Sequence, residues 1–141
     1  MVIMYDELDI KILREMEKRP DFSLQELAEI LGISKGTVRN RIMKLKNEGI
    51  ILNYNVRINY RAIGEEDAFI GLDISPEEFI NSLEEIKKIP CVKELYSTTG
   101  DHVAIAYVVD NNKSIMDCVK RITQVKGIRK VYPAFVQDIL K

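Results

Sequence analysis

Leu27-Ala28-Glu29-Ile30-Leu31-Gly32-Ile33-Ser34, continued by Lys35-Gly36-Thr37-Val38-Arg39-Asn40-Arg41-Ile42, sets a tight turn between two amphipathic helices. Gly32 permits the left-handed backbone that ends a helix running from about Ser23 to Leu31. Ile33 can pack inward, and the Ser34 hydroxyl can cap the helix that follows. Val38, Ile42 and Leu45 recur at spacings of four and three, so they share one face and can bury against Leu24, Leu27 and Ala28. The opposite face is left for a partner. Between Ser34 and Asn47 five residues are basic (Lys35, Arg39, Arg41, Lys44 and Lys46) and none is acidic, although the whole chain has a formal net charge of -1. A local basic excess on a helix that follows a tight turn suits the DNA major groove. The plainer alternative is a solvated basic helix after an ordinary glycine break.

The flanking sequence weighs against that alternative. Leu8, Ile12 and Met16, joined by Leu13, form an apolar stripe on a preceding helix from about Asp6 to Lys18, completing a three-helix unit around one small core. Downstream, Glu48-Gly49-Ile50-Ile51 stops the basic helix at a glycine and resumes with β-branched residues. The pattern predicts a winged or strand-flanked helix-turn-helix over residues 1–51.

That unit needs only the first third of a chain of 141 residues that is 46% hydrophobic, long enough to bury a second core. Charged or polar residues interrupt every long apolar run and no targeting peptide is visible, so a cytoplasmic location is expected. Cys91 and Cys118 have neither metal-ligand spacing nor a CxxC arrangement; reduced core thiols are expected in preference to a disulfide or redox pair. No metal site and no cofactor is expected.

Alternation in Tyr54, Val56, Ile58 and Tyr60 suggests a linking strand within residues 52–64. Residues 65–141 then give strand, helix, strand, strand, helix, strand. Ala68 to Ile74 is the first strand, and Ser75-Pro76-Glu77-Glu78 opens a helix with a capping hydroxyl, a proline at its first position and acids near its positive end. Val92 to Ser97 and Val103 to Val109 flank a hairpin. Ser114 to Val125 forms a second helix with Ile115, Cys118, Val119 and Ile122 on one side, and Ile128 to Ile139 holds the last strand. The order βαββαβ predicts a ferredoxin-like α+β domain with two helices on one face of an antiparallel sheet. Because the strands Ala68 to Ile74 and Val103 to Val109 are apolar at both parities, the uncovered face is expected to form a homodimer. A two-fold dimer would present two recognition helices to half-sites about 34 Å apart or a multiple of that.

Taken together, Leu8-Asp9 with Ile12-Leu13, Leu27-Ala28, Leu31-Gly32-Ile33-Ser34, Thr37-Val38 with Arg41-Ile42 and Leu45, Glu48-Gly49-Ile50-Ile51, and Thr99-Gly100-Asp101 make the chain resemble the Lrp/AsnC, or feast/famine, regulators over nearly its whole length. The resemblance implies an N-terminal helix-turn-helix joined to a ferredoxin-like effector domain, dimers that often associate into octamers, amino acids bound between dimers, and control of transcription.

On the DNA side, Lys35, Gly36, Thr37, Arg39 and Asn40 occupy the first turns of the second helix, within reach of base edges. Arg41, Lys44 and Lys46 are better placed for phosphates or for bracing the helix. Arg39 and Asn40 are the preferred readers, since their forked groups match guanine and adenine edges. Gly36 offers no side chain, only close approach of the backbone. Arg41 adjoins the inward-facing Ile42, and pairing with an acid of the first helix is an equal alternative for it. On the effector side the expected residues are Thr98, Thr99, Gly100, Asp101 and His102. A plain β-turn is the alternative for these residues taken by themselves; the resemblance shifts the reading towards an amino-acid pocket. Backbone amides and hydroxyls would take the carboxylate and an acid the ammonium group. The usual family hairpin resembles Gly, any residue, Tyr, Asp; here the last two positions are His102 and Val103, which leaves Asp101 as the nearby acid.

A lone histidine without a paired nucleophile or a metal set does not make an enzyme. Glu77-Glu78 and Glu84-Glu85 suit outward helix faces. The expected function is therefore a sequence-specific DNA-binding regulator responsive to a small effector. The rivals are an architectural DNA-compacting protein and a metabolic sensor subunit acting through protein contacts.

Overall fold

A computed structural model describes residues 5–110 and 114–141, which fall into two compact units divided between Arg57 and Ile58. The first contains α1 (Glu7–Lys18), α2 (Leu24–Leu31) and α3 (Lys35–Asn47). Each start is set by a side chain that accepts an amide hydrogen bond the helix itself cannot satisfy. Asp6 accepts from the Asp9 amide at the head of α1, Ser23 from Glu26 at α2, and Ser34 from Thr37 at α3. Gly32 adopts φ 67°, ψ 34° at the end of α2, where a side chain would be strained, and so delivers the tight turn into α3. Ile12, Met16, Leu27, Ala28, Val38 and Ile42 make the core, with Leu8, Phe22, Leu24, Leu31, Ile33 and Ile51 closing around it. Leu45 is also fully buried.

The alternation at Tyr54, Val56, Ile58 and Tyr60 does not become a linking strand. Residues 52–59 have no regular structure, and only a short 3₁₀ turn, Tyr60–Ile63, follows. The alternation is present, but a strand needs a ladder partner and none is supplied among the described residues. Leu52 and Val56 are left 85% and 84% exposed. Tyr54 is held back against its own unit, edge-on to the Phe22 ring at 6.0 Å and 4.5 Å beneath the Lys46 ammonium group.

The second unit contains β1 (Glu66–Ile74), a 3₁₀ turn at Pro76–Glu78, α4 (Phe79–Lys87), β2 (Val92–Ser97), β3 (Ala104–Asp110), α5 (Ile115–Thr123) and β4 (Ile128–Phe135). All neighbours in the four-stranded sheet, ordered β2-β3-β1-β4, are antiparallel, the arrangement of a ferredoxin-like domain. Ala68, Ile70, Leu72 and Ile74 of β1 meet Ala104, Ala106 and Val108 of β3 on the buried face, under Ile86 of α4 and Ile115, Cys118, Val119 and Ile122 of α5. The last strand ends at Phe135 rather than Ile139, because β1 offers its last partner at Ala68 and only Val136 N–H reaches beyond, to the Asp67 carbonyl.

Register places Phe69, Gly71, Tyr96, Ile105, Tyr107 and Tyr132 on the sheet's other face. Phe69, Tyr96 and Tyr132 are exposed there. At one end of that face Asp67, 4% exposed, pairs with Arg61 and accepts from the Tyr107 hydroxyl. Burial, and then the Asp67 bond, push the Tyr107 hydroxyl above the usual tyrosine range.

The cysteine expectation is also corrected: Cys91 and Cys118 form a disulfide. They lie 27 residues apart in sequence, one before β2 and the other one turn into α5. Packing of α5 onto the sheet brings their Cα atoms to 6.2 Å. Sequence spacing carries no sign of that proximity.

Candidate nucleic-acid and effector sites

In α3 the recurrence of Gly36, Arg39, Asn40 and Met43 at helical spacing makes a single exposed stripe opposite Val38, Ile42 and Leu45. Lys35, Arg39 and Asn40 are exposed and, among the described residues, make no ion pair or side-chain hydrogen bond, so their donors face outward. Thr37 is half-buried; its hydroxyl lies 2.8 Å from that of Ser34, and the pair fixes the first turn. Met43, 53% exposed, is not marked by the basic pattern, but its spacing from Arg39 and Asn40 puts it on their face. A thioether there offers an apolar surface of the kind that meets a thymine methyl group.

Arg41 and Lys44 are engaged within the domain. Asp9 is wholly buried, and its carboxylate receives Lys44 Nζ at 2.7 Å, Arg41 at 3.2 Å and the Asp6 amide at 3.0 Å. Arg41 also reaches Asp6 at 2.5 Å. The two cations therefore brace α3 against the head of α1, and Lys46 is occupied over Tyr54. Of the readings open for Arg41, the geometry realises the pairing with the first helix.

That bracing has a pH signature. The Arg41 hydrogen bond, with the Asp9 amide, holds the Asp6 carboxyl down from its ordinary 3.8 to about 2. A depressed carboxyl stabilises the fold fully above its unfolded value and loses that contribution as pH falls through about 2. Urea midpoints of the wild type should accordingly fall between pH 4 and pH 2 by more than those of Asp6→Asn. Parallel curves would remove Asp6 from the acid response.

Gly36 has open space where a Cβ would stand, and its backbone is ordinary helix. Gly36→Ala should therefore stabilise the first unit by about 0.5–1 kcal/mol. If DNA backbone approaches Gly36 closely, the same variant should weaken operator binding. A melting curve and a binding titration on one preparation separate the two effects.

In the second unit, residues 98–103 connect β2 to β3. The Thr98 amide donates to the Val103 carbonyl at 3.0 Å and its hydroxyl to the His102 carbonyl at 2.7 Å. Thr98 is thus spent on closing the turn. Thr99, Gly100 and Asp101 are exposed at its tip, Gly100 with φ 104°. His102 lies on the open face of the sheet, its ring centroid 4.8 Å from that of Tyr132. A Cβ on Gly71 would stand 2.6 Å from the imidazole, so the missing side chain on β1 makes the seat for His102. Nδ1 of His102 is buried without a hydrogen-bond partner. Lys130 Nζ sits 4.9 Å from the Tyr132 ring centre. Gly71, Lys130 and Tyr132 were not picked out from the sequence; strand register alone brings them beside the hairpin.

Comparison with known proteins agrees with both units. Residues 5–51 match a winged helix-turn-helix DNA-binding model, and residues 67–141, more than half the chain, match the Lrp/AsnC ligand-binding domain. The chain belongs to the Lrp/AsnC family. It is 35% identical over 141 residues to the HTH-type transcriptional regulator LrpA of Pyrococcus abyssi, covering 98% of this chain and 100% of that one. Among solved structures, PH0061 superposes with a TM-score of 0.86 at 21% identity, covering 99% of this chain and 97% of the other. The regulator NMB0573 of Neisseria meningitidis, crystallised as an L-Met complex, superposes with a TM-score of 0.69 at 23% identity, over 98% and 93%. This Lrp/AsnC member is thus a DNA-binding helix-turn-helix transcriptional regulator with a ligand-binding domain, and its relatives are transcriptional regulators rather than enzymes. No helix among the described residues is long and apolar enough to cross a membrane.

Proposed function

We propose that this protein reads a preferred DNA sequence through Lys35, Gly36, Thr37, Arg39, Asn40 and Met43, and that an amino acid bound at the 98–102 hairpin adjusts that binding. The observation that carries the reading is the exposed stripe on α3 whose Arg39 and Asn40 donors have no side-chain partner among the described residues, in a chain whose charges otherwise nearly cancel. Arg39 matches a guanine edge and Asn40 an adenine edge, while Lys35 serves a phosphate. Arg41 and Lys44 act indirectly, by fixing the helix that carries the readers.

The amino-acid assignment draws on the hairpin and on the L-Met complex of the Neisseria relative. Hairpin amides and the Thr99 hydroxyl suit a carboxylate, and Asp101 suits an ammonium group. The exposed aromatic face of the sheet supports a homodimer, and further association of dimers, up to an octamer, would couple effector to DNA by changing how helix pairs are presented.

Selection of DNA from a random pool, with and without all twenty amino acids, tests the reading. A palindromic motif whose enrichment shifts with amino acids is expected. Gly100→Val should remove that shift while leaving basal DNA binding intact, and loss of both would break the division of labour between the two units. A selection with no motif in either condition would favour architectural DNA packing instead.

A further inference from the structure

The disulfide lies in the wall of an open pocket of roughly 610 Å³ between α5 and the turn leading into β2, lined by both half-cystines and by Lys93, Lys120 and Arg121. The side chains of these three are exposed and, among the described residues, form no ion pair or hydrogen bond. Asp110 and Asp117 also line the pocket, so its charges are three positive against two negative. The two sulfur-bearing residues differ in access: Cys118 is 2% exposed, and Cys91 is half-buried. A wall of this kind combines a bond that a thiolate can open with charges that would collect a small anionic thiol beside it.

We propose that the pocket is a reversible S-thiolation site for a low-molecular-weight thiol bearing carboxylates, with Cys91 as the residue modified. The incoming thiolate bonds to Cys91 Sγ and the Cys91–Cys118 bond breaks. The electron pair leaves on Cys118 Sγ, which takes up the proton the thiol lost. One disulfide replaces another, so no external oxidant or reductant enters. Return of the Cys118 thiolate to Cys91 expels the small thiol and restores the bond. The pocket's cations favour the forward step by attracting the carboxylates, and in both directions they lower the cost of the thiolate that forms. While Cys91 carries the adduct, α5 is no longer tied to the turn before β2.

The test uses the full chain, purified without reductant, treated separately with glutathione and with uncharged 2-mercaptoethanol at matched thiolate concentration, acid-quenched, and mapped by peptide mass spectrometry. The expected product carries glutathione on Cys91 and a free thiol on Cys118. The triple variant K93E/K120E/R121E should react about tenfold more slowly with glutathione and change less than about twofold with 2-mercaptoethanol, the difference shrinking at high salt. Equal slowing by both thiols, an adduct confined to Cys118, no adduct, or a chain that emerges with two free thiols would each overturn the proposal.

Discussion

Asp9→Ala should destabilise the helix-turn-helix unit by about 2–3 kcal/mol, read as faster hydrogen exchange across α1 and α3 with little change in the strands of the second unit. The carboxylate is wholly buried and receives three donors: Lys44, Arg41 and the Asp6 amide. Its removal costs the reciprocal half of the cap on α1, about 0.5–1 kcal/mol. The rest of the loss comes from leaving two cations beside an apolar core. Their side chains are 29% and 36% exposed, so both can turn partly to water, and Arg41 keeps Asp6. The expected cost therefore lies below the 3–5 kcal/mol typical when a fully enclosed pair is broken. Combining Asp9→Leu with Arg41→Met and Lys44→Met removes the uncompensated charge, and stability should return to within about 1 kcal/mol of the wild type. If the triple variant is no more stable than Asp9→Ala, unpaired charge is not the cause.

The same cluster shows what a linear reading misses. Leu8-Asp9 is visible in the sequence, but Asp9 looks like one more acid in the first turn of a helix, where the macrodipole would favour it on the surface. Its burial follows from α3 crossing α1, a tertiary fact that also pairs Arg41 and Lys44 with it. By contrast, the turn at Gly32, the Ser34 cap and the core positions Val38, Ile42 and Leu45 were legible because periodicity and capping act within a few residues. The βαββαβ order was legible for the same reason.

Residues 52–59 and the cysteines failed in opposite ways. In the first case local alternation was real but no ladder partner exists among the described residues. In the second, no local signal existed and packing of α5 supplied the proximity. The effector side was half legible: Thr99-Gly100-Asp101 marks the hairpin, whereas the seat for His102 depends on Gly71, thirty-one positions earlier and joined to it only through the pairing of β1 with β3.

Arg39→Ala should weaken binding to the selected operator by roughly 5- to 150-fold, equivalent to about 1–3 kcal/mol, while affinity for random DNA changes little. Arg39 is exposed, makes no ion pair among the described residues, and stands one turn from Gly36 on the stripe that includes Asn40 and Met43. A bidentate contact to guanine is lost only where that guanine is present, so the variant's consensus should relax at one base pair per half-site and keep the others. The logarithmic salt slope should stay constant, because each lost phosphate contact would lower it by about 0.9. Lys35→Ala should do the reverse, weakening all sequences together and flattening the slope. Arg41→Ala should lower the melting temperature of the first unit while leaving the consensus intact in the fraction that remains folded, since its guanidinium is held by Asp6 and Asp9. An Arg39→Ala variant that loses specific and random DNA equally, with a flatter salt slope, would move Arg39 to the backbone and leave base reading to Asn40 and Met43.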